Sequence, residues 1–156
     1  MDMRPLLDDV CFMYAFGQKP FEEMSGRIDF AGGVLSYTAR TDVSLWEAEN
    51  RGIVIIGISV DTHGEWPITE IGLRLLAGAP DLNALLPLTD RLAGRYVILY
   101  REGENLYVLP DATCSLPIHF DNRLGMRAFA AAEFPIAETE GLKKSELARK
   151  VHRAGR

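Results

Sequence analysis

The segment VLPDATCSLPIHF (Val108–Phe120) contains the densest group of residues that could take part in catalysis. It offers a carboxylate at Asp111, a thiol at Cys114, a hydroxyl at Ser115 and an imidazole at His119. A cysteine nucleophile needs a base within hydrogen-bond reach, and residues five apart that lead into a strand usually point apart. The spacing therefore favours a capping aspartate, a partly buried thiol and a surface histidine over a Cys-His-Asp site.

Two further groups of chemically useful side chains lie elsewhere in the sequence. His63 and Glu65 provide two potential metal ligands, but two ligands do not complete a metal site. No metal site and no cofactor are therefore predicted. Trp46 and Trp66 could line a pocket, but tryptophan rings more often cap the hydrophobic core.

The composition predicts one globular domain in a reducing compartment. The chain has 156 residues, of which 47% are hydrophobic and 25% are charged, as in ordinary globular proteins. Two cysteines provide neither a disulfide framework nor a CxxC-type metal cluster, so the cytoplasm is the expected location. The most apolar run, Gly52–Val60, is too short to span a bilayer, and the first ten residues do not have the pattern expected of a secretory signal.

Charge is distributed unevenly along the chain. Residues 141–156 carry six Lys or Arg and one Glu, whereas the rest carries 11 basic and 21 acidic residues. An acidic body makes nucleic acid an unsuitable partner, because phosphate contacts need a concentration of cations on the folded surface. The basic tail favours an acidic partner surface or a solvated end.

Strands are predicted for most of the first sixty residues. The aromatic segment at Val10–Gly17 predicts a strand that is buried on both faces. The pattern at residues 28–41 predicts a pair of strands joined at two consecutive glycines. The pattern at residues 42–52 predicts a short helix or turn. An apolar strand follows at Ile53–Val60, and residues 61–67 form a predicted loop.

Residues 67–94 are the strongly helical part of the sequence. Gly78 and Pro80 stop a first helix, and Asp81 can cap a second one. Pro87 is expected to divide the second helix, because proline loses a backbone hydrogen bond and clashes with the preceding turn. The last short helix is expected to end at Gly94. Apolar residues of the first helix recur on one face: Ile68, Ile71, Leu75 and Leu76.

Two hairpins are predicted after the helices. Residues 95–100 pair with 106–110 around Gly103, and residues 117–120 pair with 126–132. Strands, then helices, then hairpins argue for antiparallel sheets with segregated helices rather than alternating units. The predicted fold class is α+β.

Three segments in register resemble the glutaminase domain of asparagine synthetases, a class II glutamine amidotransferase. They are TEIGLRLL (Thr69–Leu76), LAGRYVILY (Leu92–Tyr100) and DATCSLPIHF (Asp111–Phe120). The resemblance implies the N-terminal-nucleophile hydrolase fold, a four-layer αββα sandwich of antiparallel sheets, complete or trimmed. The domain is then expected to cover residues 1–140. The charge and the thin apolar stripe of residues 141–156 predict a basic C-terminal tail, helical or disordered.

The positions that match the family pattern read as scaffold rather than catalytic residues. Thr69 and Glu70 match its helix start. Gly94 is expected to end a helix before a central strand, Asp111 to cap a turn, and Pro117 to fix the entry to the last strand. These matching positions, including Cys114 where the family has glycine, are Thr69, Glu70, Gly94, Asp111, Cys114 and Pro117.

The family's catalytic residues have no counterpart in this sequence. In the family, an N-terminal cysteine attacks the glutamine amide and its own amino group serves as base. Position 2 is Asp2, and the chain contains no Asn-Gly pair and no ATP-binding SGGxDS loop. The resemblance therefore implies a non-catalytic glutaminase-like domain. It would serve as a scaffolding or binding module for an asparagine synthetase-like ATP-dependent partner, or through self-association, with no nucleic acid and no membrane.

Two alternatives remain open from the sequence. Removal of residues 1–10 would expose Cys11 at the head of the first strand, as in an amidotransferase or N-terminal-nucleophile hydrolase made with a propeptide. The competing interpretation of Cys11 is a small buried hydrophobe. A third possibility is an accidental resemblance, which a different order of strands would reveal.

Overall fold

Two antiparallel sheets form the centre of the molecule. The computed structural model describes residues 10–17, 21, 24–120, 128–132 and 135–137. The first sheet has the order β2-β3-β1-β9-β8 and the second has the order β4-β5-β6-β7. The strands are β1 (Phe12–Phe16), β2 (Gly26–Phe30), β3 (Gly33–Tyr37), β4 (Val43–Ala48), β5 (Arg51–Asp61), β6 (Leu92–Glu102), β7 (Asn105–Pro110), β8 (His119–Phe120) and β9 (Ala128–Ala130).

Two short helices connect β5 to β6. Helix α1 (Ile71–Gly78) follows a 3₁₀ turn at Ile68–Glu70, and helix α2 (Leu82–Thr89) begins after Asp81. The Asp81 carboxylate accepts the Ala84 N–H at 2.9 Å, so it caps α2 as its position predicts. Among the described residues, no helix is long and apolar enough to cross a membrane.

Side-chain alternation along the strands separates three apolar clusters. Phe12 and Tyr14 of β1 face Val54 and Ile56 of β5 between the sheets. Ile53 and Ile55, which alternate with them, pack under α1 and α2 on the other face of the second sheet. Because successive side chains in a strand point to opposite faces, β1 and the middle parts of β5 and β6 are buried on both sides.

The outer face of the first sheet carries the third cluster. Cys11, Met13 and Ala15 lie there with Met24 and with Ile136, which belongs to the helical residues 135–137. The described residues thus place helices on the outer face of the second sheet and a helical turn on the outer face of the first. The α+β class with antiparallel sheets is confirmed.

Residues 43–48 form a strand, so the predicted helix or turn at 42–52 is wrong there. Strand β4 pairs with the first six residues of β5, from Val43 opposite Ile56 to Ala48 opposite Arg51. The Trp46 ring lies directly against Gly72 of α1, where a Cβ atom would collide with it. Pairing with a long apolar strand and packing against a helix outweigh the weak local helical preference.

Two predictions around the second helix are also wrong. Pro87 does not divide α2, which runs through it to Thr89. The missing N–H of Pro87 removes only the bond to the Asn83 carbonyl, and the helix ends two residues later. Gly94 does not end a helix but lies inside β6, opposite Ser59 of β5.

Gly94 is required where β5 and β6 approach each other. Its φ is +134°, and a Cβ atom there would collide with the Ile58 carbonyl oxygen. Only glycine adopts this conformation without strain.

The predicted division between a domain at 1–140 and a tail at 141–156 lies outside the described residues, as do Asp2 and the segment 1–9.

Replacing Gly94 by alanine tests this requirement. We expect Gly94→Ala to lower the free energy of unfolding by about 3 kcal/mol, because backbone strain and a steric clash add. Gly103→Ala is the matched control, since Gly103 has φ +59° but no atom within 4 Å of the added Cβ; its expected cost is about 1 kcal/mol. Urea unfolding measures both, and equal losses would contradict the steric explanation.

Candidate functional site

The Asp111 carboxylate organises the turn that follows β7. It accepts the backbone N–H groups of Thr113 at 2.9 Å and Ser115 at 3.1 Å, and both of these residues' hydroxyls, at 2.7 and 3.1 Å. The N–H of Tyr96 in β6 donates to it at 3.3 Å. Asp111 is buried. The carboxylate therefore ties the turn to the neighbouring strand.

These hydrogen bonds set the ionisation of Asp111. Burial by itself raises the pKa of a carboxyl group, but the bonds from Thr113 and Ser115 favour the charged form and outweigh it. The result is a pKa lowered to about 2. Asp111 thus remains a hydrogen-bond acceptor at neutral pH, not a proton donor.

Cys114 occupies the left-handed position of the same turn. Its φ is +50°, its N–H donates to the Asp111 carbonyl oxygen at 2.9 Å, and its free thiol is exposed. The glycine that the family pattern has at this position would adopt such a conformation readily. Cysteine therefore keeps a glycine-type backbone here at some cost in strain.

Asp111, Cys114 and His119 are not joined into a catalytic group. The Asp111 oxygens are occupied by donors of their own turn, and no hydrogen bond links the Cys114 thiol to His119 among the described residues. His119 lies on β8 in the first sheet, opposite Ala130. The hydrogen bonds of the described residues therefore do not pair Cys114 with a base.

Cys11 is enclosed at the head of β1. Its side chain is 3% exposed and lies in the apolar cluster on the outer face of the first sheet. Its N–H donates to the hydroxyls of Thr38 and Thr41 at 3.3 and 3.1 Å, and its carbonyl oxygen accepts the Thr41 hydroxyl at 3.0 Å. The two hydroxyls are 2.8 Å apart. Both backbone groups of Cys11 are therefore satisfied by a buried threonine pair.

Sequence reasoning missed these threonines. The signal for them is a pair of hydroxyl residues three apart in YTART, at the end of a predicted strand. Such spacing is common in solvated turns, so it becomes informative only when the partner backbone, 27 and 30 residues earlier, is known.

A second cluster missed from the sequence surrounds Arg91. Its guanidinium contacts both oxygens of Asp61 at 2.7 and 2.8 Å and Glu65 at 2.8 Å. It also lies 3.8 Å from the centre of the Trp66 ring. The hydrogen bond from Arg91 is the main reason that the pKa of Asp61 is well below its usual range. Glu65 is thus held by an arginine.

The loop after β5 is ordered by the same carboxylate. Asp61 accepts the N–H groups of His63, Glu65 and Trp66 at 3.3, 2.9 and 3.0 Å. The described residues contain no group of three His, Cys, Asp or Glu side chains that could hold a metal. His63 and Glu65 therefore sit on a loop organised by hydrogen bonds and an ion pair.

The remaining scaffold positions lie at element ends. Thr69 and Glu70 form part of the 3₁₀ turn before α1, and Glu70 pairs with Arg74 at 2.8 Å. Pro117 lies two residues before β8. The tryptophans are partly buried at the helix-covered face of the second sheet. Thus the structure places the predicted scaffold residues in three places, not around one pocket.

An open cleft of about 680 Å³ lies where both sheets end in turns. It is at the far end of β1 from Cys11, since Gly17 lines it, and six residues of strand span about 20 Å. Its volume is in the range of small-molecule sites. Its lining residues are Gly17, Asp29, Phe30, Ala31, Gly32, Gly33, Val34, Glu47, Arg101, Gly103 and Glu104.

Replacement of Asp111 by asparagine tests the turn. We expect Asp111→Asn to lower the free energy of unfolding by about 2 kcal/mol. Hydrogen bonds to a charged acceptor are lost, and the new side-chain NH₂ group, itself a donor, lies where Thr113 and Ser115 also donate. The exposed Asp29→Asn is the control, with a change below about 0.5 kcal/mol. Urea unfolding at pH 7 measures both.

The pH dependence of stability gives the same test another readout. The folded pKa of Asp111, about 2, lies below the unfolded value of about 3.9. Its stabilisation is therefore present above about pH 5 and is lost as the pH falls from about 4 to 2. Asp111→Asn should flatten the stability curve across that window. An unchanged slope would contradict the role of the carboxylate.

Removal of the Arg91 side chain tests the loop after β5. We expect Arg91→Ala to expose Trp66, which shifts its fluorescence to longer wavelength, and to make residues 62–67 more sensitive to proteolysis. Arg74→Ala is the control, because the exposed Arg74–Glu70 pair on α1 contributes little. Unchanged cleavage in Arg91→Ala would show that the loop does not depend on this contact.

Comparisons of the chain with protein families, curated proteins and solved structures found no match.

Proposed function

We propose that the chain is a non-catalytic glutaminase-like domain that acts as a scaffolding or binding module for an asparagine synthetase-like ATP-dependent partner. The observation that carries the proposal is the burial of Cys11. A catalytic relative would need a free thiol at the head of this strand, and here the side chain is 3% exposed in an apolar cluster. The apolar surroundings disfavour the thiolate that a nucleophile requires.

The arrangement of the three resembling segments supports the fold part of the proposal. Thr69–Leu76 contains most of α1, Leu92–Tyr100 lies in β6, and Asp111–Phe120 runs from the end of β7 to β8. They therefore cover one face of the second sheet, its central strand and the crossing to the first sheet. Helices outside two facing antiparallel sheets are the layer order that the N-terminal-nucleophile hydrolase fold requires.

A free strand edge supports the binding part of the proposal. Strand β4 pairs with β5 only as far as Ile56, and the Gly57 N–H donates to the Asp42 carbonyl oxygen at 2.7 Å. Within the described part of the chain, no strand covers that side of the last four residues of β5, from Ile58 to Asp61. Ile58 is 55% exposed there and Val60 is also exposed. Exposed apolar side chains beside an unpaired edge are typical of surfaces where another chain adds.

One observation favours the alternative, an amidotransferase activated by cleavage before Cys11. The N–H of Cys11 already lies beside the Thr38 and Thr41 hydroxyls. A new α-amino group at this place would find two hydrogen-bond partners. The thiol, however, would have to leave its apolar cluster to reach a substrate.

Intact mass, N-terminal sequencing and a glutaminase assay separate the two functions. We expect the purified chain to keep its full mass of 17.4 kDa and to release no ammonia from glutamine. A chain that begins at Cys11 and hydrolyses glutamine, with activity lost in Cys11→Ala, would establish the enzyme instead.

Binding is tested with a purified asparagine synthetase-type protein from the same organism. We expect a complex that Ile58→Glu weakens at least tenfold, because a charge would be buried at the edge of β5. Leu73→Glu is the matched control, since Leu73 is 51% exposed on α1. Lack of a complex, or equal weakening by both variants, would overturn the assigned partner or surface.

A further inference from the structure

We propose that the open cleft at the turn end of the two sheets is a docking site for the chain's own basic C-terminal segment, residues 141–156. The cleft is formed by the β2–β3 turn and the end of β1 on one side, and by β4 and the β6–β7 turn on the other. The proposal concerns a different surface from the edge of β5, so it stands or falls independently of the proposed function.

The cleft carries more negative than positive charge. Asp29, Glu47 and Glu104 line it, and Arg101 is the only basic residue among its described lining residues. Phe30 and Val34 provide apolar wall. A peptide rich in Lys and Arg matches both the negative charge and the apolar wall, because these side chains carry an aliphatic stem below the charged group.

The cations already present in the described residues do not neutralise this surface. Arg27 pairs with Asp29 at 2.8 Å, but both side chains are more than half exposed, so the pair is weak and screened. Arg101 is 3.6 Å from Glu47 and donates to the Arg51 carbonyl oxygen at 3.3 Å. No ion pair involves Glu104 in the part of the chain that the structure describes.

The C-terminal segment has the complementary charge. It carries six Lys or Arg and one Glu within 16 residues, whereas the remainder of the chain is strongly acidic. The charge contrast within one chain makes self-association of the two regions the first possibility to consider. Leu142, Leu147 and Val151 add apolar side chains between the charges.

The segment starts close enough to reach the cleft. Strand β9 runs from Ala128 opposite Ala15 to Ala130 opposite Met13, so the chain leaves it toward the Cys11 end of β1, and Ile136 packs in the cluster on that face. The cluster extends to Cys11, which is about 20 Å from Gly17 along β1. Lys143 is six residues beyond residue 137, a span of up to about 20 Å.

Because the segment and the cleft belong to the same chain, even a weak attraction between them is sufficient for docking. A tethered segment is present at an effective concentration in the millimolar range. Exposed charge pairs are individually weak, but several of them acting together at that concentration favour the docked state. A ligand or partner that uses the cleft would have to displace the segment.

Carbodiimide cross-linking of the full chain tests the proposal. Three of its four lysines, Lys143, Lys144 and Lys150, lie in the segment, and the fourth is Lys19, so cross-linked peptides identify the segment directly. We expect these three lysines to join Asp29, Glu47 or Glu104 at least about fivefold more often than Glu70 or Asp90, because the tether favours one site. Raising NaCl from about 0.02 M to about 0.5 M should reduce the yield several-fold through screening.

Charge reversal provides the matched control. Arg149→Glu with Arg153→Glu should suppress the cross-links while leaving every lysine and every cleft carboxylate in place. Arg40→Glu with Arg74→Glu changes the net charge equally outside both regions and should leave them intact. Cross-links without preference, no cross-links, or links only between ¹⁵N-labelled and unlabelled chains would overturn the proposal.

Discussion

The apolar interface between the two sheets is the constraint on which the rest of the structure depends. Phe12 and Tyr14 of β1 pack against Val54 and Ile56 of β5, and Phe129 joins them from β9. The Tyr14 ring stacks on Phe129 at 5.0 Å, and its hydroxyl donates to the Phe30 carbonyl oxygen at 2.7 Å. Because the side-chain period of a strand is two, these contacts fix which residues of every strand face outward. Cys11 faces outward for this reason.

Buried carboxylates complete the structure where the strands end. Asp61 at the end of β5 and Asp111 after β7 each accept at least two backbone N–H groups from the residues that follow. Such groups would be unpaired if the turns lacked an acceptor, at a free-energy cost comparable to a lost hydrogen bond. Asp61 and Asp111 therefore act as structural anchors.

The structural contacts of Asp111 and Cys11 limit what these two groups can do in function. Of the groups that suggested chemistry in the sequence, the Asp111 carboxylate is bonded within its own turn and the Cys11 thiol is enclosed by apolar side chains, whereas the Cys114 thiol is exposed. Within the described residues, the unpaired edge of β5 and the cleft at the turn end are two surfaces open to other molecules.

The sequence by itself determined the strands with strong apolar or turn signals, the α+β class and the caps at Asp81 and Asp111, because these depend on neighbours in the chain. Tertiary structure alone decided that residues 43–48 are a strand, since their preference comes from pairing with β5. It also decided that Gly94 serves close strand approach, and that Arg91 meets Asp61 from 30 residues away. Local preferences for strand, turn or cap can be predicted from neighbouring residues in the sequence. Contacts between residues far apart in the chain form only when the sheets assemble, so the sequence alone does not predict them.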